Sequence, residues 1–231
     1  KNILRSVEKG ITQELTEIAD PELTSKGSRY RKSLYKYPLH SEKVSGSGIS
    51  DSLLVEINSF ANPYPFVRKR VGCMIYDFLE QSQAYDQIKE FELEPFELNI
   101  LDHRRTLLEK LISLIRFGFD NKPEESLKTR IRHFYDIFYL LNDKMCLDYL
   151  SSDQFKTDFN TLLDEDRRNF EEPLGWREKD LLSSPLLLDF DNMWSLLKNT
   201  YATELSILAY RDIPDNKDVY DAFSKLISFI R

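Results

Sequence analysis

Residues 130–141 read RIRHFYDIFYLL, an aromatic and apolar run with one carboxylate, Asp136, in its middle. Ile131, Phe134, Phe138 and Leu141 recur at helical spacing and form one seam, which Ile137 and Leu140 widen. The spacing predicts an amphipathic helix with Asp136 at the margin of its apolar face. On that helix Arg132 lies four residues before Asp136, and His133 three before. An isolated buried carboxylate is costly and is normally paired or neutralised. Two readings stay open. Arg132 and Asp136 form a structural salt bridge, worth about 0.3–0.5 kcal/mol if exposed. Alternatively, Asp136, His133 and Arg132 face a cleft where their charges serve a ligand.

The preceding run, RRTLLEKLISLIRF at 104–117, has apolar residues at 107, 108, 111, 112, 114 and 115. That pattern predicts a helix packed over a wide face. Lys110 shares a face with Leu107 and Leu114, so its ammonium must leave an apolar patch. Snorkelling to solvent is one way out; a shared polar site is the other. A short connection makes the two helices antiparallel neighbours, so their charged residues can meet. Pro123 falls near the start of the second helix, a favoured place, and that helix is expected to run on to about 142.

Outward from this pair, further helices are expected at 153–166, 191–209 and 218–230. EEPLGW and DIPDNKD connect them. Upstream, a helix is expected over 2–19, ended by Pro21, and strands over 29–37, 53–60 and 96–101. A loop is expected at 41–50. Pro63 and Pro65 break the second strand, and VGCMIYDFLEQ reads as helix. No strand is expected beyond about 101. The fold class is therefore α+β, with an α+β portion over 1–101 and a helical domain over 102–231.

The net charge of −7 comes entirely from residues 142–231, which carry 18 acidic and 11 basic side chains. An acidic chain is a poor general nucleic-acid binder, because phosphate affinity scales with cationic contacts. One basic cluster, Lys26, Arg29, Arg31, Lys32, Lys36 and Lys43, meets only Glu42 across 24–43. It reads either as a solvated strand or as a grip for a nucleotide or RNA end. Cys73 and Cys146 show no CxxC spacing and are expected as free thiols. No apolar run reaches the ~20 residues that span a bilayer, and no secretory signal pattern occurs; a cytoplasmic location is expected. His40, His103 and His133 match no HExxH or Cys/His metal spacing, and neither a GxSxG elbow nor a P-loop is present.

The two helices together resemble the paired signature of the AbiEii/AbiGii toxin family of nucleotidyltransferases. Members show an Arg-Thr-x-x-Glu-Lys helix followed by a helix reading Arg-x-Arg-Asp/His-x-Tyr-Asp-Leu. Arg105, Thr106, Glu109, Lys110, Arg116, Arg130, Arg132, His133, Tyr135 and Asp136 fit that pattern. The resemblance extends more weakly from about residue 29 to the C-terminus, with LLVEINSF as the family's late core strand. It implies a polymerase-β-like nucleotidyltransferase: a partial mixed sheet with flanking helices, followed by a C-terminal helical bundle. It further implies transfer of a nucleotide from an NTP to an RNA (tRNA-like) or protein acceptor, in abortive infection or a toxin–antitoxin pair with a cognate antitoxin.

On this resemblance Mg²⁺ is the expected cofactor, since carboxylate oxygens and phosphates suit it. Glu56 resembles the last of the fold's three acidic positions; alternation alone makes it an outward strand residue. Lys110 neutralises triphosphate charge, with Arg116, Arg130, Arg132 and His133 as further nucleotide-binding candidates. Asp136 anchors or tunes the lysine, or acts as a base. The family's Gly-Ser turn and Asp-x-Asp strand have no counterpart here and are expected upstream of Lys1. Asp189-x-Asp191 comes too late in the chain for that motif and reads as a helix N-cap. The alternative function is a non-catalytic, degenerate member acting as a protein-interaction module.

Overall fold

The computed structural model describes residues 2–12, 15–36, 52–209 and 212–231. It is α+β, with small antiparallel sheets followed by helices. The chain divides into two compact units, residues 1–62 with 206–210 and residues 63–205 with 211–231. The expected loop at 41–50 lies outside the described residues.

In the first unit, helix α1 (Asn2–Ile11) is followed by β1 (Thr16–Ile18), β2 (Ser25–Lys26), β3 (Tyr30–Lys36) and β4 (Ser52–Asn58). The expected helix over 2–19 thus stops at Ile11, and 16–18 pairs with β3 instead. Thr16 and Ile18 are β-branched and fit a pleated surface better than a helix. Strand β3 is the hub. It pairs with β4 along its length, and β1 and β2 each pair with a separate part of it. Every pairing is antiparallel.

One face of β3 carries Arg31, Ser33 and Tyr35, spaced two apart as a strand requires. All three donate to the buried carboxylate of Glu8 on α1: Arg31 Nε at 2.6 Å, Tyr35 Oη at 2.8 Å, and Ser33 Oγ. Lys26 Nζ stands 3.5 Å away. Burial pushes the Glu8 carboxyl up, but hydrogen bonds from Ser33, Tyr35 and Arg31 outweigh it and hold it at about 2. Much of the basic cluster read from the sequence is therefore neutralised within the unit. Lys26 and Arg31 meet Glu8, Lys26 also meets Glu17, and Lys32 meets Glu56.

The second unit opens with a hairpin of β5 (Phe66–Val71) and β6 (Phe96–Leu101), bridged by α2 (Met74–Gln81) and α3 (Tyr85–Glu90). Strand β5, FVRKRV, has no sequence signature of its own and forms because it pairs residue for residue with β6. Cys73, a free thiol, caps α2 by accepting from Tyr76 N at 3.4 Å.

The helical core follows: α4 (His103–Phe117), α5 (Pro123–Lys128), α6 (Arg132–Leu141), α7 (Lys144–Leu150), α8 (Asp153–Asn169), α9 (Pro185–Leu188), α10 (Phe190–Leu208) and α11 (Asn216–Ile230). Asp102 caps α4 through Arg104 N at 2.9 Å. Helix α4 is the central element: Leu107, Leu111, Ile112, Leu114 and Ile115 are fully buried. On α6, Phe134 packs against Trp194 and Phe223, with ring centroids 5.4 and 4.9 Å away.

The helix expected from Pro123 to 142 is broken at Thr129–Ile131. Thr129 Oγ1 and the Arg130 guanidinium both take the Ser126 carbonyl, at 2.8 and 2.9 Å, while Arg130 N turns to Leu127 O. Side-chain donors thus compete with the helical ladder at this point. Asp189 accepts from Asn192 N at 3.3 Å, the capping role expected for that pair of aspartates. No described helix is long and apolar enough to cross a membrane.

Candidate active site

Lys110 and Asp136 face each other across the α4–α6 pair. Lys110 Nζ donates to Asp136 Oδ2 at 2.7 Å, and both side chains are about a quarter exposed, at 22% and 30%. Asp136 therefore pairs with the lysine of the neighbouring helix, not with Arg132 of its own. Spacing within α6 brings Arg132 near, but α4 presents its ammonium at closer register.

A second contact fixes the relative direction of the helices. His103 Nδ1 lies 2.9 Å from Asp143 Oδ2. His103 precedes Lys110 by seven residues and Asp143 follows Asp136 by seven, so the two segments run antiparallel. Seven residues are two helical turns, about 10 Å. The Lys110–Asp136 and His103–Asp143 pairs both line one open cleft of about 340 Å³. His103, Thr106 and Lys110 form its α4 wall, at i, i+3 and i+7. Asp136, Tyr139, Leu140 and Asp143 form the other. Thr106 Oγ1 already donates to Asp102 O, and Tyr139 Oη to Asp212 O at 2.7 Å. The uncommitted polar capacity of the cleft lies in the ammonium, the carboxylates and the imidazole.

The other expected residues are not brought into this cleft. Arg116 is buried in an aromatic cage, its guanidinium carbon 4.2 Å from the Phe170 ring centroid, 5.0 Å from Phe117 and 5.4 Å from Trp176. Asp166 faces it at 3.4 Å. Burial lowers the pKa of Arg116 and raises that of Asp166 to about 6. Arg130 stacks over Phe117 at 3.2 Å. Arg132 is exposed at the first turn of α6. The Nδ1 of His133 is buried with no hydrogen-bond partner. Burial, aided by the nearby Lys110 charge, pushes its pKa down to about 4. His103 and Asp143 were not singled out by the sequence. The signal that finds them is the matched seven-residue spacing, 103 to 110 and 136 to 143, on two antiparallel segments.

Glu56 stands in the first unit, where it accepts from Tyr30 Oη at 2.9 Å and pairs with Lys32, its cross-strand partner, at 3.3 Å. Among the described residues no three His, Cys, Asp or Glu side chains gather as a metal site requires. A lone carboxylate already engaged by a hydroxyl and an ammonium does not make a Mg²⁺ site.

The family model described as nucleotidyl transferase AbiEii toxin, type IV toxin–antitoxin system, matches residues 1–222. The chain belongs to that family, of nucleotidyltransferase-type toxins. No curated protein and no solved structure matches it.

Proposed function

We propose that the α4–α6 cleft binds the triphosphate of an NTP and that the protein transfers a nucleotide from it to an RNA acceptor. The observation that carries this reading is the Lys110–Asp136 pair at the edge of an open cleft. An ammonium has three donors, and Asp136 takes one. The other two are available to phosphoryl oxygens. Asp136 holds the flexible lysine in one rotamer, so less freedom is lost when phosphate binds. Tyr139 and Leu140 supply an apolar wall beside these charges. A divalent cation belongs to this reading through the family resemblance alone.

The test is transfer itself. The full-length protein, given α-³²P-labelled NTPs and total RNA, should label RNA; Lys110→Ala and Asp136→Ala should abolish labelling while retaining helical circular dichroism. Wild-type labelling by both variants would remove the site.

A second reading, a non-catalytic interaction module, draws on the hairpin unit. Met74, Ile75, Phe78, Phe91 and Phe96 are more than half exposed there, and exposed apolar patches mark interaction surfaces. An antitoxin partner, implied by the family, fits either reading. Absence of RNA labelling by the wild type under all four NTPs favours the module.

A further inference from the structure

The cleft contains a second acid–base pair, His103–Asp143, whose geometry sets its chemistry. Asp143 uses both oxygens. Oδ1 accepts from Met145 N at 2.8 Å and caps α7; Oδ2 meets His103 Nδ1 at 2.9 Å. The His103 hydrogen bond, with Met145 N–H, holds the Asp143 carboxyl below its usual range. Asp143 is therefore ionised at neutral pH and can only accept. The hydrogen of the contact sits on Nδ1, and in the neutral ring Nε2 keeps its lone pair. Asp102 interacts with the ring from the start of its own helix, and Lys110, Asp136 and Asp143 line the same cleft. The side chain is 40% exposed and lines the open cleft.

We propose that His103 takes the proton of the acceptor hydroxyl during transfer, with Asp143 as its positioning residue. This rests on the nucleotidyl-transfer reading above. The acceptor O–H bond breaks and its proton passes to Nε2. The hydroxyl oxygen bonds to the α-phosphorus. The bond from the α-phosphorus to the oxygen bridging to the β-phosphate breaks, and diphosphate leaves with that electron pair. The imidazolium then returns its proton to water. A positioned base contributes about 10²–10⁴-fold to such a step.

The experiment measures RNA labelling by the full-length protein against pH and NTP concentration. His103→Gln should lower kcat by about 100-fold or more, leave KM for the NTP unchanged, and remove the acidic limb of the pH–rate profile. Asp143→Asn keeps the α7 cap, since Asn caps as well as Asp. Its amide NH₂ can donate to Nδ1 and favour the opposite tautomer, so kcat should fall with KM unchanged. The ¹⁵N shifts of the wild-type imidazole, read independently of activity, should show Nδ1–H. Wild-type kcat and pH profile in His103→Gln, with Lys110→Ala inactive, would overturn this proposal alone. So would an Nε2–H tautomer. Wild-type labelling by Lys110→Ala would overturn the transfer reading beneath it.

Discussion

Lys110 and Asp136 are 26 residues apart in the chain and 2.7 Å apart across the α4–α6 contact. Both side chains are partly buried, so the pair is worth more than a fully exposed one and less than a dry one. A double-mutant cycle with Lys110→Ala and Asp136→Ala should give a coupling of about 1 kcal/mol, read from urea unfolding. Zero coupling would mean the two groups are not joined in solution.

Arg116 belongs to the packing of the helical unit. Its guanidinium is stacked on Phe170 and flanked by Phe117 and Trp176. A lysine ammonium cannot stack as a planar fork does. Arg116→Lys should cost about 2 kcal/mol and leave the KM for NTP unchanged. A raised KM at full stability would return Arg116 to the nucleotide site.

His133 gives a pH signature. Its folded pKa is held near 4, below the ordinary histidine value, by burial first and by Lys110. Between about 6.5 and 4 the unfolded chain therefore binds the extra proton. Stability attributable to this group falls as pH falls through that window. His133→Leu should flatten that loss in urea midpoints taken from pH 7 to pH 4. It also removes a buried nitrogen without a partner, so stability at pH 7 should not drop. An unchanged pH dependence would show that His133 is not buried neutral.

Glu8 gives a signature of the same sign in a lower pH window. Its folded pKa near 2 lies below the usual 4.5. Its contribution is complete above about pH 4.5 and is lost as pH falls toward 2. Glu8→Gln should cost about 3 kcal/mol at pH 7, because it leaves buried Arg31 without its anion. The difference from wild type should shrink below pH 4.5. A constant difference down to pH 3 would contradict the ionised cluster.

The helical half was largely legible because its apolar periodicity is strong. Of the seam read at 131, 134, 138 and 141, Phe138 is only partly buried, and Ile137, read as widening the seam, is more enclosed than it. What the sequence could not supply was register between elements. Spacing within α6 nominated Arg132 as the partner of Asp136; which residue of α4 stands opposite depends on how Leu111, Ile115 and Phe134 pack. Strand β5 was silent for a related reason, since FVRKRV becomes a strand only by pairing with β6. His103 carries no local mark either, since its partner Asp143 lies 40 residues on.

The most direct measurement is calorimetric titration of the full-length protein with a non-hydrolysable NTP analogue. Lys110→Ala should weaken binding at least about tenfold, equivalent to 1.4 kcal/mol, with the helical fold preserved. Equal affinity in wild type and Lys110→Ala would contradict the assignment of the α4–α6 cleft to the triphosphate.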